Sequence, residues 1–359
     1  FVSVTKDGKV TATGMDKAGY VTMMELRALM VFDSRDCLAK ACAIAVRYSA
    51  VRRQGLIDKR TGIEPQVLSY PIQRHRLLVL VADAYAFHFT GTRVLPLVGE
   101  LRNKVQAGDA SSLQHVHGVL CGLKAMCTRM CSDGIEECRK CCGGQGYLLS
   151  SGLPELLGYA LHYATAEGDN YVMAQQCSRY LLKVLQQVQG GEPGAAVGDL
   201  EYLRGGEKLL AVTCPADSLQ QMLDPKMLQT AYHQRSLFLL LRLAERYLAA
   251  ISAGASPMDA WGSVQVDQHA AVQAHVMSTL VANFLTDAYA EANAQCADWI
   301  RVAPVLRKVG LLFALHHLTD TPDFLESSFL RPDQMEMARE GVRTLESELA
   351  GEAVALVDA

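Results

Sequence analysis

The chain has 359 residues, half of them hydrophobic, with a net charge of -4 and a pI near 6.2. It is long enough for two domains or one large one, and its charge gives no electrostatic reason to expect nucleic acid or an anionic membrane. Its longest apolar runs, such as Leu77 to Ala82, fall far short of the ~20 residues that a bilayer span needs. Eleven cysteines lie scattered through apolar patterns, which favours free thiols in a reducing compartment over a disulfide framework.

Residue 1 is Phe rather than Met, and the last residues carry no peroxisomal tripeptide, so both ends read as cut from a longer protein. The opening segment alternates Val2, Val4, then Val10, Ala12 around Asp7-Gly8, predicting a β-hairpin. After Tyr20 the pattern is helical. Leu38, Ala41, Cys42 and Ala45 recur at helical spacing. Leu77 through Phe87 is apolar nearly all round, interrupted only by Asp83, as in a buried helix. Val116, Leu120, Leu123, Cys127 and Met130 mark one seam of a bundle, and Met173, Cys177, Tyr180, Val184 and Val188 another. Four long helices with short connections predict an antiparallel four-helix bundle over 20–188.

Gln189-Gly190-Gly191-Glu192-Pro193-Gly194 cannot continue a helix, so 189–206 is expected to be a linker. A second helical domain is expected over 207–359. Its stripes are Leu237, Leu241, Ala244 and Leu248, then Val276, Leu280 and Asn283, then Trp299, Val302, Leu306 and Val309. The fold class is therefore all-α behind a short β remnant at 1–19.

Three stretches carry candidate chemistry. Arg47-Tyr48-Ser49-Ala50-Val51-Arg52-Arg53-Gln54 ends a helix in cations, which by itself only complements the helix dipole. Cys142-Gly143-Gly144-Gln145-Gly146-Tyr147 is a glycine-rich turn, able to bring backbone amides close to a phosphate and equally able to be a helix C-cap. Glu167-Gly168-Asp169-Asn170 places a carboxylate just before a predicted helix, where an anion is favourable in any case.

Taken with Asp133-Gly134-Ile135-Glu136-Glu137-Cys138-Arg139-Lys140, Ser151-Gly152-Leu153-Pro154-Glu155 and Gln66-Val67-Leu68-Ser69-Tyr70-Pro71-Ile72-Gln73, these stretches resemble the peroxisomal acyl-CoA oxidases, most closely the plant-like ones. The resemblance covers nearly the whole chain and is strongest between Arg47 and Arg179. It implies the tail of a middle β-domain at 1–19, a bundle at 20–188 that binds FAD and carries out catalysis, and the C-terminal helical domain of the oxidases.

Under that resemblance Glu167 is the general base that removes the α proton of a fatty acyl-CoA. Arg52 and Arg53 are expected to reach the FAD phosphates. Cys142, Gly143, Gly144, Gly146 and Tyr147 form the turn at the adenine-dinucleotide half, and Gln73 and Asp169 are further cofactor contacts. The implied reaction gives a 2-enoyl-CoA and, with molecular oxygen as acceptor, hydrogen peroxide. The resemblance also implies a homodimer with FAD near the subunit interface and a peroxisomal location.

The chain departs from the family pattern at Gln145 (usually His), Pro71 (usually Gln), Ala164-Thr165-Ala166 (usually Cys-Thr-Tyr) and Ala174 (often Gln). Pro71 is compatible with a helix start if Ser69 caps it. The segment expected to cradle the flavin ring is absent, so these residues alone are expected to bind FAD poorly and turn over little. Two other readings are a non-catalytic truncated paralogue serving as a helical assembly subunit, and an acyl-CoA dehydrogenase. The helical region beyond Gly206 speaks against the dehydrogenase.

The cysteines at 127, 131, 138 and 141 and the pair His316-His317 invite a metal reading. The cysteines lie in predicted helices, so buried thiols are expected. His316-His317 lacks a partner ligand at suitable spacing and is expected on a helix surface.

Overall fold

The computed structural model describes residues 2–12, 18–290 and 297–359. Residues 13–17 of the expected β remnant, and Cys296, lie outside the described residues. The strands β1 (Val2–Val4) and β2 (Val10–Ala12) pair antiparallel, with Val4 opposite Val10. The amide of Gly8 donates to the Thr5 carbonyl in the turn, as the Asp-Gly pair predicts.

Four long helices follow in α1 (Ala18–Val51), α2 (Pro71–Gln106), α3 (Leu113–Cys141) and, after α4 (Gly144–Tyr147) and α5 (Leu153–Leu161), α6 (Asn170–Gln189). They pack as a bundle whose seams are those expected. Leu38, Ala41, Cys42 and Ala45 are buried, as are Val116, Leu120, Leu123 and Cys127, and Met173, Cys177 and Val184. Pro71 occupies the first helical position of α2, but Ser69 does not cap it. Tyr70 is the cap residue, and the Ser69 hydroxyl donates instead to the Gln66 carbonyl within a preceding 3₁₀ turn.

The expected linker is only partly loose. Helix α6 stops at Gln189, and the glycine-proline run turns the chain with Gly191 and Gly194 at positive φ. Residues Gly198–Gly205 then form a 3₁₀ helix that buries Leu200, Tyr202 and Leu203. After α7 (Gly206–Leu210) and α8 (Leu219–Met222) come α9 (Pro225–Ser252), α10 (Pro257–Ser263), α11 (Gln265–Ala288), α12 (Ala297–Thr319), α13 (Asp323–Glu326), α14 (Pro332–Leu349) and α15 (Ala353–Asp358). Helix α9 begins under an Asp224 cap, whose carboxylate accepts from the amides of Lys226 and Met227.

Helices α11 and α12 lie against the bundle rather than apart from it. Phe284 of α11 is fully buried, 5.0 Å from Phe89 of α2 and 6.2 Å from Phe313 of α12 between ring centres. One continuous buried cluster therefore runs through both helical regions. Two stripes are cut short at their ends: Leu248 is 59 % and Val302 46 % exposed, because α9 and α12 turn those positions outward.

His316 and His317 are not surface residues, which corrects the expectation. His317 Nε2 lies 2.7 Å from Asp83 Oδ1 of the buried stretch of α2. His316 stacks edge-on against His75, whose Nδ1 meets Glu346 Oε1 of α14 at 2.6 Å. The acid that interrupts the apolar run of α2 is thus answered by a histidine distant in sequence. An otherwise unpaired buried charge would be costly there.

All ten described cysteines are free and buried. Cys42 of α1 and Cys138 of α3 share a thiol hydrogen bond, their sulfurs 3.9 Å apart, and form no disulfide. Burial pushes the thiols of Cys141 and Cys142 up, to about 12 and about 11.

Candidate functional site

The Glu167 turn is built from both sides. Glu167 has φ 56, one of two non-glycine residues with positive φ among the described residues, and Gly168 follows at φ 107. An L side chain in the left-handed region costs roughly 1–2 kcal/mol. Gly168 is needed twice over: its backbone conformation disfavours any Cβ, and a Cβ there would lie 2.6 Å from the Met173 methyl. Asp169 then caps α6, its Oδ1 accepting from the amides of Tyr171 at 2.9 Å and Val172 at 3.3 Å.

Two buried cations hold this turn. Arg27 of α1, 5 % exposed, donates from Nε and a terminal nitrogen to the Glu167 carbonyl at 3.1 and 3.0 Å. Lys124 of α3, fully buried, donates to the Gly168 carbonyl at 2.6 Å and to Asn170 Oδ1 at 2.8 Å. Thr128 completes the arrangement by exchanging hydrogen bonds with the Asn170 amide. Burial, then the nearby Arg27 charge, pushes Lys124 down to about 8. His117, 3.3 Å from Arg27, is lowered by burial first and by Arg27 second.

The Glu167 carboxylate itself accepts no hydrogen bond and joins no ion pair among the described residues, and it is half-buried. Neighbouring Leu161, Tyr171 and Val172 are 53, 65 and 46 % exposed. A carboxylate on an anchored backbone, with no hydrogen-bond partner of its own among the described residues, suits proton transfer.

The second candidate group sits at the far end of α1 and α3. Arg52 follows the last residue of α1, its amide donating to the Tyr48 carbonyl at 2.8 Å. Its side chain is exposed and bonds only Gln54 Oε1, at 3.2 Å, among the described residues. Arg53, also exposed, donates to the Glu64 carbonyl at 2.8 Å. The turn after α3 packs close: a Cβ on Gly146 would fall 2.1 Å from the Arg139 carbonyl, so only glycine lets α4 fold back there. Gly143 and Gly144 face open space and Tyr147 is 76 % exposed.

Gln73 binds these pieces together. Its amide donates to Ser49 Oγ at 3.0 Å and to the Cys141 carbonyl at 2.8 Å, joining the end of α1, the start of α2 and the end of α3. Gln73 and Cys142 are buried, at 6 % and 2 % exposure. They shape this end of the bundle, and their side chains are not presented to a ligand. Asp169 likewise spends one carboxylate oxygen on its helix cap.

The two groups are not one site within a single chain. Arg27, which grips the Glu167 carbonyl, is about 36 Å from Val51 along α1 at the helical rise. Lys124, which grips the next carbonyl, is about 25 Å from Cys141 along α3. Arg27 and Lys124 were missed in the sequence because each occupies an ordinary helical position. A cation in an otherwise apolar stripe, as Lys124 is between Leu120, Leu123 and Cys127, was the available signal.

Residues 20–182 match the family model described as acyl-CoA oxidase, C-alpha1 domain, and residues 224–359 match that described as acyl-CoA oxidase. The chain is 35 % identical over 359 residues to the putative peroxisomal acyl-coenzyme A oxidase 1.2 of Arabidopsis thaliana, covering 99 % of this chain and 52 % of that protein. It is 35 % identical over 361 residues to peroxisomal acyl-coenzyme A oxidase 1 of Mus musculus, covering 100 % and 54 %. Among solved structures it superposes on Arabidopsis thaliana acyl-CoA oxidase 1 with TM-score 0.90 at 33 % identity, covering 99 % of this chain and 53 % of that one. It superposes on Caenorhabditis elegans acyl-CoA oxidase-2, bound with FAD, ascaroside-CoA and ATP, with TM-score 0.87 at 30 % identity, covering 99 % and 51 %. The chain spans about half the length of the curated relatives it matches.

Proposed function

Since the chain belongs to the acyl-CoA oxidase family, we propose that it is the base-bearing helical portion of an FAD-dependent peroxisomal acyl-CoA oxidase. The reaction is α,β-dehydrogenation of a fatty acyl-CoA to the 2-trans-enoyl-CoA with reduction of molecular oxygen to hydrogen peroxide. It is the first step of peroxisomal fatty acid β-oxidation. The observation that carries this reading is the Glu167 carboxylate, unpaired among the described residues and mounted on a turn whose backbone is held from two helices.

FAD fits one end of the chain through general chemistry. Two exposed guanidiniums, Arg52 and Arg53, suit bidentate contact with a diphosphate, and the backbone at Gly143 and Gly144 is open to close approach. When bound, FAD supplies the acceptor for the β hydride and the route of its electrons to oxygen. Glu167 takes the α proton at its carboxylate. The exposed apolar side chains of Leu161, Tyr171 and Val172 are covered by the remainder of the oxidase and by the acyl chain, which excludes water.

The span of α1 and α3 bears on assembly. Because α1 and α3 hold Glu167 and the Arg52 end far apart, a single copy would not bring both groups to one flavin. A second copy in a homodimer would supply Arg52, Arg53 and Gly143-Gly144 to hold the cofactor's diphosphate. This is the arrangement under which both candidate groups serve one reaction.

The test is Glu167→Gln in the whole oxidase, which keeps the shape and removes the base. Turnover should fall by about 10²–10⁴-fold with flavin retained. Unchanged turnover would take Glu167 out of the mechanism and leave a helical scaffold.

A further inference from the structure

We propose that Arg27 and Lys124 are positioning residues for the Glu167 carboxylate, pinning the two successive carbonyls of its turn from opposite helices. This rests on the reading of Glu167 as the base. The observation behind it is an unusual use of charge. Both cations are buried, at 5 % and 0 % exposure, yet neither has a carboxylate within ion-pairing distance among the described residues. A buried cation is costly unless it is compensated. Here the compensation is two main-chain carbonyls, 167 and 168, together with Asn170 Oδ1.

The geometry explains why such costly groups are placed there. Glu167 is held at φ 56, a conformation that an L residue leaves unless its surroundings over-determine it. Arg27 engages the Glu167 carbonyl with two nitrogens of one rigid guanidinium, which fixes the plane of that peptide. Lys124 fixes the next carbonyl and, through Asn170 and Thr128, the start of α6. With both peptides and the helix start anchored, the side chain of Glu167 has one backbone frame from which to project. Misplacement of a reacting group by about 1 Å can cost as much as 10²-fold in rate.

The experiment compares Arg27→Gln, Arg27→Lys and Lys124→Met with Glu167→Gln in the whole flavin-loaded oxidase. We expect Arg27→Gln and Lys124→Met to lower kcat by about 10- to 100-fold, with KM and flavin content changed by less than about threefold. Hydrogen exchange of the amides of residues 165–170 should quicken in both variants. Arg27→Lys keeps the charge and loses the paired grip on the Glu167 carbonyl, so it should lower kcat as Arg27→Gln does. If Arg27→Gln does not fold, Lys124→Met and Arg27→Lys decide the matter by the same measures. Activity that falls only in step with flavin content or folded fraction, with exchange of residues 165–170 unchanged, overturns the proposal. So does unchanged kcat. If Glu167→Gln disables the enzyme while these variants do not, the positioning role alone is lost; if Glu167→Gln is harmless, the base assignment itself falls.

Discussion

The backbone at Glu167-Gly168 shows what a single residue is asked to do. Gly168 combines φ 107 with a position where a Cβ would press on the Met173 methyl and force it to shift. Gly168→Ala should therefore destabilise the protein by roughly 1–2 kcal/mol from the backbone conformation alone, with more from the contact. Adding Met173→Ala should recover the contact part and leave the conformational part, as read by denaturant midpoints of the single and double variants. Full recovery in the double variant would show that the left-handed conformation is not strained there. Because the same glycine sets the direction of Glu167, turnover of the whole oxidase should fall in Gly168→Ala and stay low in the double variant.

At the scale of elements, α2, α12 and α14 meet through a cluster of titratable groups: His75 with Glu346, and His317 with Asp83. His75 is raised by its hydrogen bond to Glu346, so its contribution is fully present below pH 6.5 and is lost as pH rises through its raised value. His316 acts oppositely. Burial first, and His317 second, push it down to about 4, with Asp320 and Asp83 opposing. The unfolded chain then takes up the proton at a higher pH than the folded one, so stability falls as pH drops from about 6.5 toward about 4. His316→Asn should flatten that part of the stability curve and shift acid unfolding to lower pH. A variant whose stability falls as steeply as the parent between pH 6.5 and 4 would exclude His316 as the source.

For the molecule as a whole, the distance between the Glu167 turn and the Arg52 end is the governing fact. Under the homodimer proposal, each flavin draws Glu167 from one copy and Arg52 and Arg53 from the other. Mixing whole oxidase carrying Glu167→Gln with whole oxidase carrying Arg52→Gln and Arg53→Gln, after dissociation and reassembly, should restore activity. Each mixed dimer then holds one site with both groups intact. No recovery in dimers proved mixed by mass would mean that each flavin is served by one copy alone. Phe89, Phe284 and Phe313 join the two helical regions in one continuous buried cluster.

Much of this was legible in the residue order. Apolar residues at helical spacing located α1, α2, α3, α6, α9 and α11, because a helix that must bury one face has to repeat its apolar residues every three to four positions. The glycine-proline run stopped α6 at Gln189, since proline lacks the amide and glycine gives way there. The motifs around Arg52, Gly143 and Glu167 carried the family resemblance and nominated the acid. What only the tertiary structure decided was pairing over long sequence distances: Asp83 with His317, Gln73 with Ser49 and Cys141, and Arg27 and Lys124 with the carbonyls of the Glu167 turn. Periodicity specifies which face of a helix is inside, while the partner of a polar group on that face depends on which other helix arrives there and at what height. The separation of the two candidate groups belongs to the same class, for it is set by the lengths of α1 and α3 and by the path of the chain back along them.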